Sequence, residues 1–265
     1  MSDHYSCALI TGASAGLGEE YAFQLAPLVR KLVLVARRED RLAEIAHRLR
    51  SRYPHVAVAV FAADLTRHSH REQLVEVLAQ RGFLPDLLVN NAGMGDYGEF
   101  ARAEWERLDA MLKLNVEALT HLTHTLLPTM IRRGYGAVVN VSSLASLLPM
   151  PDFAVYAASK AYVTSFSEAL RMEVRDHGIS VLAVCPGPVH TEFGTVARRN
   201  GDSELPGREW FYVPKEQVVA DSLRALDRDQ ARVYPGWKVA AAALVISALP
   251  LAILRLAMGS RPRRA

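Results

Sequence analysis

Two side chains in the run YAASK have a spacing that suits joint proton chemistry. Tyr156 and Lys160 stand four residues apart, so on a helix both lie on one face, about one turn apart. A neighbouring ammonium group favours the phenolate form of a tyrosine and lowers its pKa. Such a pair can deliver a proton to a carbonyl oxygen near neutral pH if another group delivers hydride. The same spacing is common on solvated helix faces, so the pair needs support from the rest of the chain.

A glycine-rich segment near the N-terminus predicts a site for a dinucleotide. The apolar run at residues 5–10 has the length of a strand, and residues 19–28 are rich in helix formers. Between them, residues 11–18 are TGASAGLG, with the spacing G-x-x-x-G-x-G instead of the commoner G-x-G-x-x-G. Glycines let the backbone approach a pyrophosphate, and a helix start offers free N–H groups to an anion. An ordinary strand–helix turn is the alternative, but the flanking segments favour dinucleotide binding.

Further motifs follow in order along the chain. They are Asn90-Asn91-Ala92-Gly93 after an apolar run, Ser142-Ser143, the Tyr156–Lys160 pair and Pro186-Gly187. Together with the glycine-rich segment, these motifs resemble the classical type of the short-chain dehydrogenase/reductase family, over roughly residues 5–236. The resemblance implies a protein that binds a nicotinamide dinucleotide and either reduces carbonyls or oxidises alcohols.

Periodicity predicts the α/β fold class, with buried parallel strands joined by helices, and the family resemblance implies a single doubly wound (Rossmann-type) sheet with helices on both faces. Apolar runs at residues 32–36, 56–61, 86–90, 137–141 and 179–184 predict strands, and residues 38–53 and 67–81 have helical periodicity. Strands and helices that alternate in this way form a parallel sheet with right-handed crossovers. With 265 residues, of which 50% are hydrophobic, the chain can cover both sheet faces. We expect a catalytic domain at residues 1–236 and an apolar C-terminal helical extension with a basic end at residues 237–265.

Two arginines after the second predicted strand indicate which dinucleotide is bound. Arg37 lies where dinucleotide-binding folds meet the adenosine ribose. An acidic residue there accepts a hydrogen bond from the 2′-hydroxyl of NAD, whereas a guanidinium pairs with the 2′-phosphate of NADP. Arg38 adds to the positive charge, although a helix start disfavours cations. We therefore expect NADP(H) to be preferred over NAD(H), even though the glycine-rich segment carries no basic residue of its own.

The resemblance also implies individual cofactor contacts. Asp64 corresponds to the residue that meets the adenine amino group, and residues 185–191 to a turn beside the nicotinamide, with Thr191 near its carboxamide. Asn90 and Asn91 either line the cofactor or tie neighbouring strands together, and both alternatives stay open. The implied cofactor-binding set is Gly12, Ser14, Gly16, Leu17, Gly18, Arg37, Arg38, Asp64, Leu65, Asn90, Asn91, Ala92, Gly93, Tyr156, Lys160, Pro186, Gly187, Val189 and Thr191.

Four catalytic residues follow from the same resemblance, namely Asn115, Ser143, Tyr156 and Lys160. Ser143 would stabilise charge on the substrate oxygen, and Ser142 is the competing serine. Tyr156 would protonate the alkoxide, while Lys160 would lower the Tyr156 pKa and bind the nicotinamide ribose. Asparagine is a poor residue inside a helix. In the family the residue matching Asn115 distorts its helix and holds a water that links the lysine to solvent. Polar packing between helices is the alternative for Asn115.

Composition excludes several other classes of protein. A net charge of +3 without a basic tract before the C-terminus argues against a nucleic-acid partner. Cys7 and Cys185 lie in apolar runs, which indicates buried thiols in a reducing compartment. His121, His124 and His177 lack the spacing of metal ligands, so no metal is expected. The first predicted strand leaves no room for a signal peptide, which predicts a cytoplasmic protein.

Assembly is predicted from the helices that carry Asn115 and Tyr156. Both have long apolar faces. In the family the corresponding helices pair across a two-fold axis, so the resemblance implies a homodimer or a homotetramer.

Residues 193–213 correspond to the variable lid of the family, and they indicate only the broad class of the substrate. Trp210, Phe211 and Tyr212 would cover an apolar substrate, whereas Arg198 and Arg199 would meet an acidic one. A substrate-free lid can have the same composition. We expect a lipophilic carbonyl or secondary alcohol, such as a 3-oxoacyl thioester, a steroid-like ketone or another ketone.

The tail is unusually apolar. Residues 239–254 include one polar side chain, Ser247, and a proline, Pro250. Trp237 precedes this run, and four arginines follow it: Arg255, Arg261, Arg263 and Arg264. The 16 residues fall short of the ~20 that span a bilayer. Three alternatives remain: peripheral attachment to a membrane surface through residues 237–258, a hairpin broken at Pro250 that packs on the lid or a partner subunit, and a true span.

Two functions from different classes fit these observations. The first is an NADP-dependent carbonyl reductase, and the second is a non-catalytic NADP-binding sensor or scaffold with the same fold. A dinucleotide-binding fold alone does not separate them. All four residues of the implied proton-transfer set are present, which favours the enzyme.

Overall fold

A seven-stranded parallel sheet forms the centre of the protein. The computed structural model describes residues 5–199 and 209–259. The strand order is β3-β2-β1-β4-β5-β6-β7, and every pair is parallel. The strands are β1 (Cys7–Thr11), β2 (Lys31–Ala36), β3 (Ala57–Ala62), β4 (Leu87–Asn90), β5 (Gly136–Val141), β6 (Ile179–Val184) and β7 (Arg232–Val233). The predicted doubly wound fold is confirmed.

Helices cover both faces of this sheet. They are α1 (Gly16–Leu25), α2 (Glu39–Arg52), α3 (His68–Gln80), α4 (Trp105–Leu112), α5 (Leu119–Arg133), α6 (Ala154–Val174), α7 (Glu192–Ala197), α8 (Lys215–Asp227), α9 (Trp237–Ala248) and α10 (Leu251–Gly259). The predicted runs match six strands and the helices α2 and α3 to within two residues. The two-residue strand β7 is too short for a recognisable period and escapes prediction.

Alternation along the strands divides the core into two layers. In β1, Ala8 and Ile10 point towards α1, α2 and α8, while Cys7 and Leu9 point towards α3, α5 and α6. This period of two, with both sets buried, is what a parallel sheet covered on both faces requires. The sheet is therefore held rigidly, and the loops at the carboxyl ends of its strands have fixed starting points.

The chain reverses its winding direction between β1 and β4, and ligands of open α/β sheets bind at such a point. The loops that follow β1, β2, β4, β5 and β6 at this edge carry the motifs singled out in the sequence. The topology therefore gathers into one place residues that are widely separated along the chain.

A π-helical segment, Lys113–Ala118, joins α4 to α5 and contains Asn115. π-Helical turns are rare and often mark functional sites. Asn115 is buried. Because it lies inside the π-helical segment, the helix is distorted at this asparagine, as the family resemblance implies.

The C-terminal extension is a bent pair of helices. α9 and α10 meet at a break next to Pro250 and are inclined by 115° to each other. Among the described residues, no single helix is long and apolar enough to cross a membrane, although the bent pair meets the criterion jointly by length and composition. The break at Pro250 agrees with the helical-hairpin alternative. Arg261, Arg263 and Arg264 lie outside the described residues.

Candidate active site

The glycine-rich loop after β1 has the geometry of a phosphate-binding turn. Gly12 and Gly16 have φ angles of +66° and +57°, in the left-handed region that favours glycine. A Cβ atom on Gly12 would lie 2.9 Å from the Cα atom of Ala92, so the backbone of the next loop approaches closely. α1 begins at Gly16, which places the free N–H groups of a helix start beside the loop.

This loop opens into a cavity of about 1100 Å³ at the switch point of the sheet. Its size and its mixture of apolar and polar walls are those of a site for a cofactor together with a substrate. Most of the residues predicted to bind cofactor or to act in catalysis line it: Gly12, Ser14, Gly16, Leu17, Arg37, Arg38, Asp64, Leu65, Asn91, Ala92, Gly93, Ser143, Tyr156, Lys160, Pro186, Gly187, Val189 and Thr191. Three predicted residues, Gly18, Asn90 and Asn115, lie behind its walls.

Gly18 and Asn90 support the walls from behind. A Cβ atom on Gly18 would lie only 2.2 Å from the carbonyl oxygen of Gly12, so this glycine lets α1 pack closely on the loop. Asn90 is buried and donates from Nδ2 to Thr123 Oγ1 and Asn140 Oδ1, both at 2.9 Å. Asn90 was expected either to line the cofactor or to tie neighbouring strands together, and its hydrogen bonds tie β4 to β5 and α5.

Asn91 combines both alternatives. Its side chain lines the cavity, and its Nδ2 donates to the carbonyl oxygen of Thr11 at 2.9 Å. The backbone N–H groups of Asn91 and Ala92 donate to Thr11 Oγ1 at 3.0 and 2.9 Å. The loops after β1 and β4 are therefore locked together beneath the cavity.

Arg37 lies near Asp64 in the wall of the cavity. Both line the cavity, and Arg37 is exposed. Burial acts to raise the pKa of Asp64, but hydrogen bonds from Thr66 outweigh it and, with the charge of Arg37, hold that pKa below its usual value. Thr66 donates to Asp64 Oδ1 from its backbone N–H at 3.0 Å and from its hydroxyl at 2.8 Å. The carboxylate is therefore fixed in place.

Arg38 has a carboxylate partner that the sequence did not indicate. Its Nη2 lies 2.8 Å from Glu192 Oε2, in the first turn of α7. The same guanidinium donates to Ser14 Oγ at 3.3 and 3.4 Å and to the carbonyl oxygen of Ser14 at 3.4 Å. All three residues line the cavity. Arg38 therefore links the glycine-rich loop to the segment that follows β6.

The Tyr156–Lys160 pair lies on α6, buried at the cavity wall. Lys160 Nζ lies 5.9 Å from the centroid of the Tyr156 ring and donates to the carbonyl oxygen of Val141 at 2.8 Å. Burial raises the pKa of Tyr156 to about 12, against the effect of a hydrogen bond with Ser143. Burial also lowers the pKa of Lys160 to about 8. The expected lowering of the Tyr156 pKa is thus absent here, because removing the phenolate from water outweighs its neighbours.

The two candidate serines after β5 have different surroundings. The Ser142 hydroxyl donates to the backbone carbonyl of Lys160 at 2.8 Å and lies 2.7 Å from Thr164 Oγ1, so its hydrogen-bonding capacity is used in packing. Ser143 lines the cavity beside Tyr156, and it acts to lower the pKa of that tyrosine against the effect of burial. Its Oγ also accepts from the backbone N–H of Ala145 at 3.1 Å. Ser143 is the serine positioned to meet a substrate oxygen beside the tyrosine.

Asn115 fastens the loop after β4 to α6. Its Oδ1 accepts from the backbone N–H of Met94 at 3.0 Å, and its Nδ2 donates to the Met94 carbonyl at 2.9 Å. A further hydrogen bond runs from Nδ2 to Ser159 Oγ at 3.1 Å. These contacts show polar packing between elements. Asn115 also lies directly behind Gly93, because a Cβ atom built on Gly93 would be 3.3 Å from both Asn115 Oδ1 and Lys160 Nζ.

Aromatic side chains surround Tyr156 in the wall of the cavity. The ring centroid of Tyr156 lies 4.7 Å from that of Phe153 and 5.5 Å from that of Phe193. Both phenylalanines line the cavity, together with Met94, Leu148 and Met150. Sequence reasoning missed these residues, apart from placing Phe193 in the lid, because isolated apolar side chains in loops have no periodicity.

The lid is anchored by a buried carboxylate that the sequence did not single out. Asp96 is 1% exposed and forms ion pairs with Arg107, at 2.8 Å, and with Arg199. Arg199 Nε donates to the two carboxylate oxygens of Asp96 at 2.9 and 3.0 Å. Arg199 is therefore paired with a carboxylate of the same chain, which argues against the alternative that it meets an acidic substrate. Arg198 lines the cavity and retains that option.

The three lid aromatics occupy different positions. Phe211 and Tyr212 line the cavity, and Tyr212 stacks on His190 with ring centroids 4.1 Å apart. Trp210 does not line the cavity. The centroid of its ring lies 5.4 Å from Nζ of Lys238, at the start of α9. Residues 200–208 of the predicted lid lie outside the described residues.

The comparisons with known proteins identify the family. The family model described as short chain dehydrogenase matches residues 6–201. The chain belongs to the short-chain dehydrogenase/reductase family and is an oxidoreductase acting on carbonyl or alcohol groups.

Individual relatives agree with this assignment. The chain is 37% identical over 207 residues to sulfoacetaldehyde reductase 2 of Chromohalobacter salexigens, covering 76% of this chain and 78% of that protein. It is 32% identical over 209 residues to the very-long-chain 3-oxoacyl-CoA reductase of Rattus norvegicus, covering 77% and 65%. A short-chain dehydrogenase from Sphingobium yanoikuyae, solved in complex with NADPH, superposes with a TM-score of 0.81 at 33% identity, covering 98% of each chain.

Proposed function

We propose that this protein is an NADP(H)-dependent reductase of lipophilic carbonyl compounds, with Tyr156 as the proton donor. The observation that carries the proposal is one continuous cavity. The glycine-rich loop and Arg37 line this cavity. Tyr156 and Ser143 line the same cavity, among aromatic side chains. A dinucleotide bound along the loop would extend towards the tyrosine, so that cofactor and carbonyl meet there.

The roles of the four polar residues follow from their positions. Ser143 would hold the carbonyl oxygen and stabilise the charge that develops on it. Tyr156 would donate its proton to that oxygen, and its raised pKa keeps the proton in place until then. Lys160 would contact the nicotinamide ribose and supply positive charge beside the tyrosine. Asn115 would hold the Gly93–Met94 backbone and provide the connection through which the proton is replaced.

The residues present fit a nicotinamide dinucleotide. The bound cofactor supplies the hydride. Gly12, Ser14 and Gly16 would face its pyrophosphate, and Asp64 would meet the adenine. Arg37 supports the preference for NADP(H) over NAD(H), because an exposed guanidinium at this end of the cavity can pair with a 2′-phosphate. The NADPH complex of the Sphingobium relative supports the same choice.

Two classes of carbonyl compound are supported to different degrees. The aromatic and methionine wall beside Tyr156 favours a lipophilic substrate, as does the likeness to a very-long-chain 3-oxoacyl-CoA reductase. Arg198 in the cavity wall favours a small acidic carbonyl as the second candidate, and so does the likeness to a sulfoacetaldehyde reductase. Since the apolar residues surround the tyrosine itself, we place the lipophilic substrate first.

We further propose that the enzyme is a homodimer or homotetramer in the cytoplasm, attached peripherally to membrane through residues 237–258. The catalytic unit would be residues 1–236, with residues 237–265 as an extension. Tyr162 on the outer side of α6 bonds Thr120 of α5 at 2.9 Å, so the two helices predicted to pair across the two-fold axis present one joint surface. Light scattering at micromolar concentration tests the assembly, and a monomer would contradict it.

Cofactor oxidation against a panel of carbonyl compounds tests the activity. The panel contains a short soluble ketone, a long-chain 3-oxoacyl thioester, a steroid ketone and sulfoacetaldehyde, each with NADPH and with NADH. We expect turnover with NADPH that is fastest on the long-chain or steroid ketone. Turnover of sulfoacetaldehyde alone would favour the second candidate. Dinucleotide binding without turnover of any compound would overturn the reductase and favour the non-catalytic sensor or scaffold.

A further inference from the structure

The C-terminal hairpin, defined as α9 and α10, has an inner side that belongs to the active site. Val239 is fully buried, packs with Val213 and Val218, and would lie 2.8 Å from a Cβ atom on Gly187. α9 also packs against the turn Leu144–Leu147, directly after Ser143. Near the end of α10, Met258 lines the cavity. The hairpin is thus fixed to the cofactor motif at its base and reaches the cavity wall near its tip.

The outer side of the hairpin is apolar and exposed to solvent. Trp237 is 76% exposed, Leu244 is 74% exposed and Leu256 is 77% exposed. Val245, Leu251 and Ile253 are exposed as well. Water-soluble proteins seldom leave so many large apolar side chains together, and such patches bind a protein or a membrane.

Charge favours an anionic lipid surface over a second copy of this chain. Residues 237–265 contain five basic residues and no acidic ones. The five are Lys238 and Arg255, together with Arg261, Arg263 and Arg264 outside the described residues. A second copy of this chain meeting the same surface across a two-fold axis would bring like charges together. An anionic lipid surface would instead neutralise them, while its acyl chains cover the apolar side chains.

We propose that the outer side of the hairpin binds the surface of an anionic lipid membrane, and that lipophilic substrate enters the cavity from this surface past Met258. The two helices lie at 115° to each other and neither is long enough to span, so the geometry is that of an element lying in the interface. Because Met258 belongs both to the hairpin and to the cavity wall, the membrane side and the reacting centre are neighbours. The route for substrate rests on the proposed reductase activity. The lipid contact specifies the membrane attachment proposed above and does not depend on that activity.

Flotation of the full-length protein with liposomes tests the lipid contact without any turnover. Vesicles of phosphatidylcholine with phosphatidylglycerol are compared with vesicles of phosphatidylcholine alone. The variant is Leu244→Gln/Leu256→Gln, and the control is Phe100→Gln/Met172→Gln, which removes two exposed apolar groups elsewhere. We expect the wild type and the control to float with anionic vesicles, less with neutral ones, and the hairpin variant to bind at least about tenfold more weakly. Thermal unfolding verifies that the variants are folded.

The route is tested separately by turnover. The hairpin variant should reduce a short soluble ketone at the wild-type rate and a long-chain ketone held in vesicles several-fold more slowly. Equal flotation of the hairpin variant and the wild type, or no flotation of the wild type with anionic vesicles, would overturn the lipid contact. If the hairpin variant instead has a smaller oligomer by light scattering, the surface is a subunit interface and the proposal is wrong. Normal flotation with no turnover of any ketone would refute the reductase and leave the lipid contact standing.

Discussion

Arg38 and Glu192 form an ion pair in the wall of the cavity. Arg38 follows β2 and Glu192 follows β6, on opposite sides of β1 and β4. Their N–O distance is 2.8 Å, and their side chains are 45% and 54% exposed. One of the two cations predicted to meet the 2′-phosphate is therefore engaged by a carboxylate of the same chain. Arg37 also follows β2 and lines the cavity, and it lies near Asp64.

If NADP(H) is bound as proposed, Glu192 would compete with its 2′-phosphate for Arg38. We expect Glu192→Gln to tighten NADPH binding by up to about fivefold, since exposed ion pairs contribute about 0–1 kcal/mol. NADH binding should change little, because NADH has no 2′-phosphate. Fluorescence titration with both dinucleotides measures the effect.

A matched control for this change is Glu44→Gln. Glu44 pairs with Arg41 on α2 in a similarly exposed ion pair at 2.6 Å, and neither residue lines the cavity. Glu44→Gln should leave the binding of both dinucleotides unchanged. Weaker NADPH binding by Glu192→Gln would show that the ion pair assists the cofactor instead of competing with it.

Arg37 should determine the choice between the two dinucleotides. Arg37→Asp removes the partner of the 2′-phosphate and adds a like charge, so we expect NADPH binding to weaken at least about tenfold more than NADH binding. The control is Arg41→Asp, an equal change of charge on the same helix. Equal losses for NADPH and NADH in isothermal titration would mean that Arg37 does not contact the 2′-phosphate.

Tyr156 should be required for the chemical step and not for cofactor binding. Tyr156→Phe removes the proton donor, and the loss of one acid–base group lowers a rate by about 10²–10⁴-fold. The control is Tyr162→Phe, the same substitution on the same helix at a residue outside the cavity. Single-turnover assays with saturating NADPH measure the step. A Tyr156→Phe enzyme that keeps most of its rate would exclude the tyrosine as the proton donor.

Activity should depend on pH through Lys160. Burial lowers the pKa of Lys160 from its usual value to about 8, so its cation is present below that pH and is lost above it. Tyr156 keeps its proton throughout this range, because its pKa is raised to about 12. We expect kcat/KM for NADPH, which reports groups of the free enzyme, to fall as the pH rises through about 8.

The conservative variant Lys160→Arg tests the origin of that fall. A guanidinium stays charged across the range, so the residual activity of this variant should lose the inflection. If the inflection persists in Lys160→Arg, another group causes it.

Most strands and helices, and the residues proposed to carry the chemistry, could be predicted from local patterns in the chain. Strands such as residues 137–141 and 179–184 were predictable because side-chain alternation and apolar runs are local properties of the chain. The joint placement of Tyr156 and Lys160 followed from the helical period alone. The glycine-rich loop was predictable because its positive φ angles are accessible chiefly to glycine.

Contacts between residues far apart in the chain could be found only in the folded protein. Glu192 forms an ion pair with Arg38, Asp96 binds Arg199, and Met258 lines the cavity. No local pattern in the sequence predicts these contacts. The direction of the Tyr156 pKa also depended on packing. Spacing to Lys160 predicted a lowered value, but burial raises it, because the free energy of a charge depends on all the groups that exclude water from it.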